Sequence, residues 1–120
     1  MPKILYIEDN PQNMRLVHKI LADAGYEVIE AKDGLTGIES VEREKPDLVL
    51  MDVNLPDIKG FEVVARLKAV PALASIPMIA LTADAMSDDR DRCLSAGYDG
   101  YLAKPVMKKE LLDHVADFLK

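Results

Sequence analysis

Short apolar, β-prone runs alternate along this chain with stretches whose apolar residues recur every three to four positions, from one end to the other. Lys3 to Ile7 is the first such run, and it stops at Glu8-Asp9-Asn10-Pro11. Asn10 there suits a helix N-cap with Pro11 in the first helical position. Asn13, Leu16, Val17, Ile20, Leu21 and Ala24 then fall on one helical face, and Gly25 supplies a stop. The same reading gives strands over Glu27 to Glu30, Asp47 to Met51, Ile76 to Leu81 and Gly100 to Ala103. Helices follow over Gly34 to Glu44, with Leu35, Ile38 and Val41 facing inward, then Gly60 to Ala69, Ser87 to Ala96 and Lys108 to Leu119. Strict β and α alternation implies a doubly wound α/β fold, a five-stranded parallel sheet with right-handed crossovers and helices on both faces. Five strands and five helices suit the flavodoxin-like order 2-1-3-4-5, in which ligands gather at the carboxyl ends of strands 1 and 3.

That rule selects the residues that matter. Strand 1 ends in Glu8-Asp9, strand 3 in Asp52, strand 4 in Thr82 and strand 5 in Lys104-Pro105. Two carboxylates about 4 Å apart repel by about 4 kcal/mol at an effective dielectric near 20. A fold does not collect them for stability. A divalent cation relieves the repulsion, and hard oxygen donors select Mg²⁺ or Mn²⁺. Asp9 and Asp52 fit as direct ligands, with the longer Glu8 acting through water. A carboxylate such as Asp52 can also be a nucleophile that forms an acyl phosphate. Lys104 would then supply compact positive charge, and Thr82 a hydrogen bond, to the oxygens in transfer.

Four motifs carry a resemblance to a known family: Tyr6-Ile7-Glu8-Asp9-Asn10, Met51-Asp52-Val53-Asn54-Leu55-Pro56 with Gly60, Leu81-Thr82-Ala83, and Tyr101-Leu102-Ala103-Lys104-Pro105. Together they resemble the receiver domain of two-component response regulators. The resemblance covers essentially the whole chain, including the intervals of 30 residues from Asp52 to Thr82 and 22 from Thr82 to Lys104. It implies that Asp52 accepts a phosphoryl group from a phosphohistidine on a histidine kinase or phosphotransfer protein. It implies Mg²⁺ held by Asp9, Asp52 and the Asn54 carbonyl with Glu8 in support, Thr82 and Tyr101 as a switch pair, and a cis bond before Pro105. Residues at the positions of Asn54 and Asp84 flank the attacking water in that family and tune dephosphorylation. The start at Glu8-Asp9-Asn10-Pro11 with Asn13 most resembles receivers of hybrid sensor kinases and stand-alone regulators of cell division or phosphorelays.

The 120 residues correspond to one domain, so the expectation is a receiver over 1–120 with no output domain and a downstream protein effector as its reader. A charge of −6 without a basic cluster beyond Lys108-Lys109 argues against nucleic acid. The apolar runs are strand-sized, and the lone Cys93 forms no internal disulfide. A cytoplasmic bacterial phosphoprotein without membrane insertion is expected. It is no enzyme beyond catalysing its own phosphorylation and dephosphorylation. Met14, His18 and Val106 are candidate docking residues for a helical partner. Tyr98, Tyr101 and the fourth helix are candidates for a phosphorylation-dependent homodimer. A haloacid-dehalogenase-like phosphatase would need an acid at Asn54, and a flavodoxin-type phosphate loop would not be built from Glu8-Asp9.

Overall fold

The computed structural model describes residues 1–82, 94–104 and 106–119. Five parallel strands, β1 (Lys3–Ile7), β2 (Glu27–Ala31), β3 (Leu48–Asp52), β4 (Met78–Thr82) and β5 (Gly100–Ala103), lie in the order β2-β1-β3-β4-β5. The helices are α1 (Pro11–Asp23), α2 (Gly34–Glu44), α3 (Gly60–Lys68), α4, described over residues 94–96, and α5 (Lys108–Phe118). The expected doubly wound sheet is therefore the observed one.

Alternate strand residues build two cores. Leu5, Ile7, Val49, Met51, Met78 and Ala80 pack beneath α2 and α3, whereas Ile4, Tyr6, Leu48, Leu50, Ile79 and Leu81 pack beneath α1 and α5. β3 and β4 are buried along their whole length, as central parallel strands sandwiched by helices must be. Two strand ends differ from the periodicity reading. β4 starts after Pro77, which has no N–H to give the ladder, and runs on to Thr82. β3 extends to Asp52, which stands in register with Leu81. Asp52 and Thr82 are thus the last rungs of the sheet, held more rigidly than loop residues would be.

Asn10 caps α1 as expected, its side chain accepting from the N–H groups of Gln12 and Asn13, and Gly25 takes the left-handed turn that follows at φ +96°. The buried face of α1 is rotated from the expected one. Met14 is in the core at 9% exposure and Leu16 lies outside it at 51%. The apolar arc of α1 is wider than the sheet can cover, and Asn13 is turned toward the sheet edge by its bond to Glu8. In α2 the buried face is Gly34, Gly37, Ser40 and Val41, and Leu35 is 50% exposed. Small residues let this helix approach Ile7 and Val63 closely, which leaves the larger Leu35 on the rim.

The loop after β3 is fastened to α2. Asp57 accepts from the N–H groups of Gly34 and Leu35 at 2.8 and 2.9 Å, beside the local cap from Asp33 to Thr36. Slight desolvation would raise the Asp57 carboxyl, but the Leu35 and Gly34 N–H bonds outweigh it and hold it below the usual carboxylate range. A depressed folded-state value means that its stabilisation is present above the unfolded value near 4 and is lost as pH falls through the folded one. Asp57→Ala should cost about 1 kcal/mol at neutral pH. Urea midpoints of the two proteins should differ at pH 7 and converge as the medium is acidified.

Candidate metal and phosphoryl-acceptor site

The carboxyl ends of β1, β3, β4 and β5 bring Glu8, Asp9, Asp52, Thr82 and Lys104 to one edge of the sheet. Glu8, Asp9 and Asp52 each offer an oxygen within 4.8 Å of the others. Glu8 and Asp52 are buried, and Asp9 is exposed. Lys104 Nζ donates to Glu8 Oε1 at 2.6 Å and to Asp52 Oδ2 at 2.7 Å. It reaches both because β5 lies beside β4, where the Lys104 N–H also donates to the Thr82 carbonyl.

The backbone sets Asp52 from the other side. The Asn54 N–H donates to Asp52 Oδ1 at 2.9 Å, and the Val53 N–H to the Leu81 carbonyl. Gly60 comes close enough to donate its N–H to the Val53 carbonyl at 3.0 Å. A Cβ on Gly60 would lie 2.8 Å from Val53 Cα and 2.5 Å from the Tyr98 hydroxyl, so a side chain there displaces the segment that carries Asp52. Tyr98, in turn, is 3% exposed, donates to Met51 Sδ at 3.4 Å and meets Phe61 edge-on. Tyr98 therefore supports β3 from within the core, which corrects its candidacy as a dimer contact.

Charges in the site are unevenly matched. Burial and the Glu8 carboxylate push Asp52 above the usual carboxylate range, against the lowering effect of Lys104 and the Asn54 N–H. Burial also acts to raise Glu8, but Asp52, which takes up a proton first, and the Lys104 ammonium hold it low. Burial would lower the Lys104 ammonium, and the Asp52 and Glu8 carboxylates more than compensate. One ammonium serves two buried carboxylates with a third beside them. The all-oxygen acidic donor set fits Mg²⁺, with the exposed Asp9 and the less engaged Asp52 as candidate ligands.

Thr82 is buried at the end of β4, and Tyr101 is half-buried against the core of α2 and α3. Asn54 is exposed beside Asp52. His18 lies on α1 with Nδ1 2.6 Å from Glu30 Oε2, and Val106 borders a small cleft with Tyr6, Asn13, Leu16, Val17 and Lys104. Met14 is buried at 9% exposure, and Leu16, two positions on, is exposed at 51%. Asp84, Pro105 and Cys93 lie outside the described residues. Among those described, no helix is long and apolar enough to cross a membrane.

Sequence reasoning missed two residues at this site, Tyr6 and Asn13, the latter donating from Nδ2 to Glu8 Oε1 at 3.3 Å. Tyr6, read as a strand residue, donates its hydroxyl to Glu8 Oε1 at 3.2 Å. The available signal was a lone hydroxyl in an otherwise aliphatic strand, two positions before the acid and so on the same side of it.

Comparisons with known proteins agree with this geometry. The response regulator receiver domain family matches residues 4–116. The polar-differentiation response regulator DivK of Brucella anthropi is 37% identical over 120 residues, covering 99% of this chain and 98% of its own. The receiver domain of a sensor histidine kinase from Pseudomonas aeruginosa, solved with a magnesium ion coordinated in its active site cleft, superposes with a TM-score of 0.91. It is 37% identical, over 98% of this chain and 97% of that one. The chemotaxis response regulator CheY4 of Vibrio cholerae gives a TM-score of 0.93 at 29% identity, over 99% of both chains. An acidic triad served by one lysine at the sheet edge, in a chain matched over nearly its full length, has one reading: the protein belongs to the response regulator receiver domain family.

Proposed function

We propose that this protein is a single-domain response regulator that takes a phosphoryl group from a partner phosphohistidine onto Asp52. The observation that carries the proposal is the pair of bonds from Lys104 Nζ to Asp52 Oδ2 and Glu8 Oε1, at the edge where Asp9 stands open. A carboxylate oxygen of Asp52 attacks phosphorus as the phosphorus–nitrogen bond to the donor imidazole breaks, and the electron pair leaves with the imidazole. Asp9, Asp52 and the Asn54 carbonyl would hold Mg²⁺, which would supply charge neutralisation for the phosphoryl oxygens. Lys104 follows the oxygens with its ammonium, and the Thr82 hydroxyl donates to them.

The new group brings nearly two negative charges and three acceptor oxygens to the end of β3, beside Thr82 at the end of β4. Thr82 moves toward it and Tyr101 turns into the space released, which changes the face formed by β4, α4 and β5 for a downstream protein. Asn54 and Asp84 set how fast water removes the group. Leu16, His18 and Val106 receive the helical donor. A second reading, a receiver working within a hybrid kinase phosphorelay, is favoured by the equal 37% identity to the kinase receiver and to DivK.

The test is phosphotransfer from a purified phosphohistidine donor, read as label on this chain, with Mg²⁺ and with a chelator. Label should appear in the first case and fall at least about a hundredfold in the second, as expected when the metal carries a large share of the charge stabilisation. Equal labelling with the chelator would contradict the assigned role of the acid cluster.

A further inference from the structure

The Glu8 side chain, 2% exposed, is held by more groups than the Lys104 pair requires. Its Oε1 accepts from Tyr6 Oη at 3.2 Å, Asn13 Nδ2 at 3.3 Å and Lys104 Nζ at 2.6 Å. Its Oε2 accepts from the backbone N–H groups of Asp9 at 3.1 Å and Asn10 at 3.4 Å. With both oxygens engaged, Glu8 is a poor direct metal ligand, and the long 3.4 Å bond from the Asn10 N–H is the one a metal-bound water would replace. Asp52 is less engaged, and Asp9 is exposed. Glu8 is built to act from behind the metal ligands.

Two of those donors are neutral side chains from different elements. Tyr6 is fully buried on β1 among Ile4, Leu50 and Val17, and only its hydroxyl reaches the site. A phenol keeps its proton across the physiological range, so Tyr6 remains a donor there. Asn13 comes from the first turn of α1, oriented by the Asn10 cap. A second lysine in either place would anchor Glu8 but cancel the negative charge that attracts a cation. Neutral donors fix the carboxylate and leave its charge intact, which is the usual work of outer-sphere partners in metal sites.

We propose that Tyr6 and Asn13 are a positioning pair that fixes the Glu8 carboxylate as the outer-sphere acid of the Mg²⁺ site. The inference deepens, and rests on, the receiver reading above. Tyr6→Phe keeps the ring and removes only the hydroxyl, and Asn13→Ala removes the amide from a half-buried position. Mg²⁺ affinity is measured by calorimetric titration of the full chain in the wild type, Y6F, N13A and the same variants combined with Glu8→Ala, with melting temperatures alongside. Glu8→Gln serves as a second background should E8A fold poorly.

Y6F and N13A should each weaken Mg²⁺ binding about tenfold while melting close to the wild type. Neither should weaken it further once Glu8 is replaced. A purely structural tyrosine predicts wild-type Mg²⁺ affinity in Y6F, and that result would overturn the proposal. So would an equal loss in the Glu8→Ala or Glu8→Gln background, because the effect would then bypass Glu8. A wild type that binds no Mg²⁺ would overturn the receiver reading itself, and this inference with it.

Discussion

Asp52→Asn should lose all labelling from a phosphohistidine donor and, in the absence of Mg²⁺, become more stable than the wild type. The first effect follows from removing the carboxylate that Lys104 and the Asn54 N–H jointly orient. The second follows from the charges. Asp52 has a raised pKa because burial and Glu8 both disfavour its ionised form, so at neutral pH its charge works against folding. The amide keeps the shape and removes one of three clustered negative charges. At an effective dielectric near 20 and about 5 Å, each like-charge pair costs about 3 kcal/mol. Lys104 offsets much of that, which leaves an expected gain of about 1–2 kcal/mol, read as a higher urea midpoint in chelator. Mg²⁺ should then stabilise the wild type more than D52N, since ligand binding to the folded state alone adds stability by mass action. Equal midpoints in chelator would mean that the site carries no such repulsion.

Lys104→Met should act in the opposite direction. It leaves Glu8 and Asp52 buried without the ammonium that bonds both. Breaking a buried ion pair by removing one partner costs about 3–5 kcal/mol. Asp52, already inclined to hold its proton, absorbs part of this, and the lower end is expected. Labelling should also fall steeply, because no other described side chain brings positive charge to Asp52. The informative measurement is urea unfolding of K104M in chelator and in excess Mg²⁺. The deficit should shrink with Mg²⁺, because the cation neutralises the same carboxylates. It should shrink as well in D52N/K104M, because residues that share one network do not act additively. A deficit unchanged by either would show that Lys104 stabilises the fold through packing alone.

Much of this site is legible in the sequence because the fold places chemistry at strand ends. Once alternating elements fix a parallel sheet, Glu8, Asp9, Asp52, Thr82 and Lys104 follow from where the apolar runs stop, and the sheet order brings them together. What escaped notice depends on rotation and reach, which periodicity does not encode. α1 has more apolar residues than buried places, so Met14 and Leu16 exchange roles only when the helix docks. Leu35 fares likewise because glycines bring α2 closer to the sheet than a leucine stripe would. Asp57 reaches across 23 residues to the start of α2, and Lys68 reaches across 31 to Asp99 while also donating to the carbonyls of Ala74 and Ile76. Such long-range bonds leave no local pattern. Tyr6 was hidden for another reason: a tyrosine inside a β-prone run reads as core, and most of its surface is core.

The central claim is that this sheet edge makes a single carboxylate oxygen a phosphoryl acceptor. The most direct measurement is peptide mass spectrometry after incubation with acetyl phosphate and Mg²⁺. The peptide containing Asp52 should gain about 80 Da, the mass of one phosphoryl group, in a form stable to acid and labile to base. An unmodified Asp52 peptide, or the same gain mapped to another residue, would contradict the account.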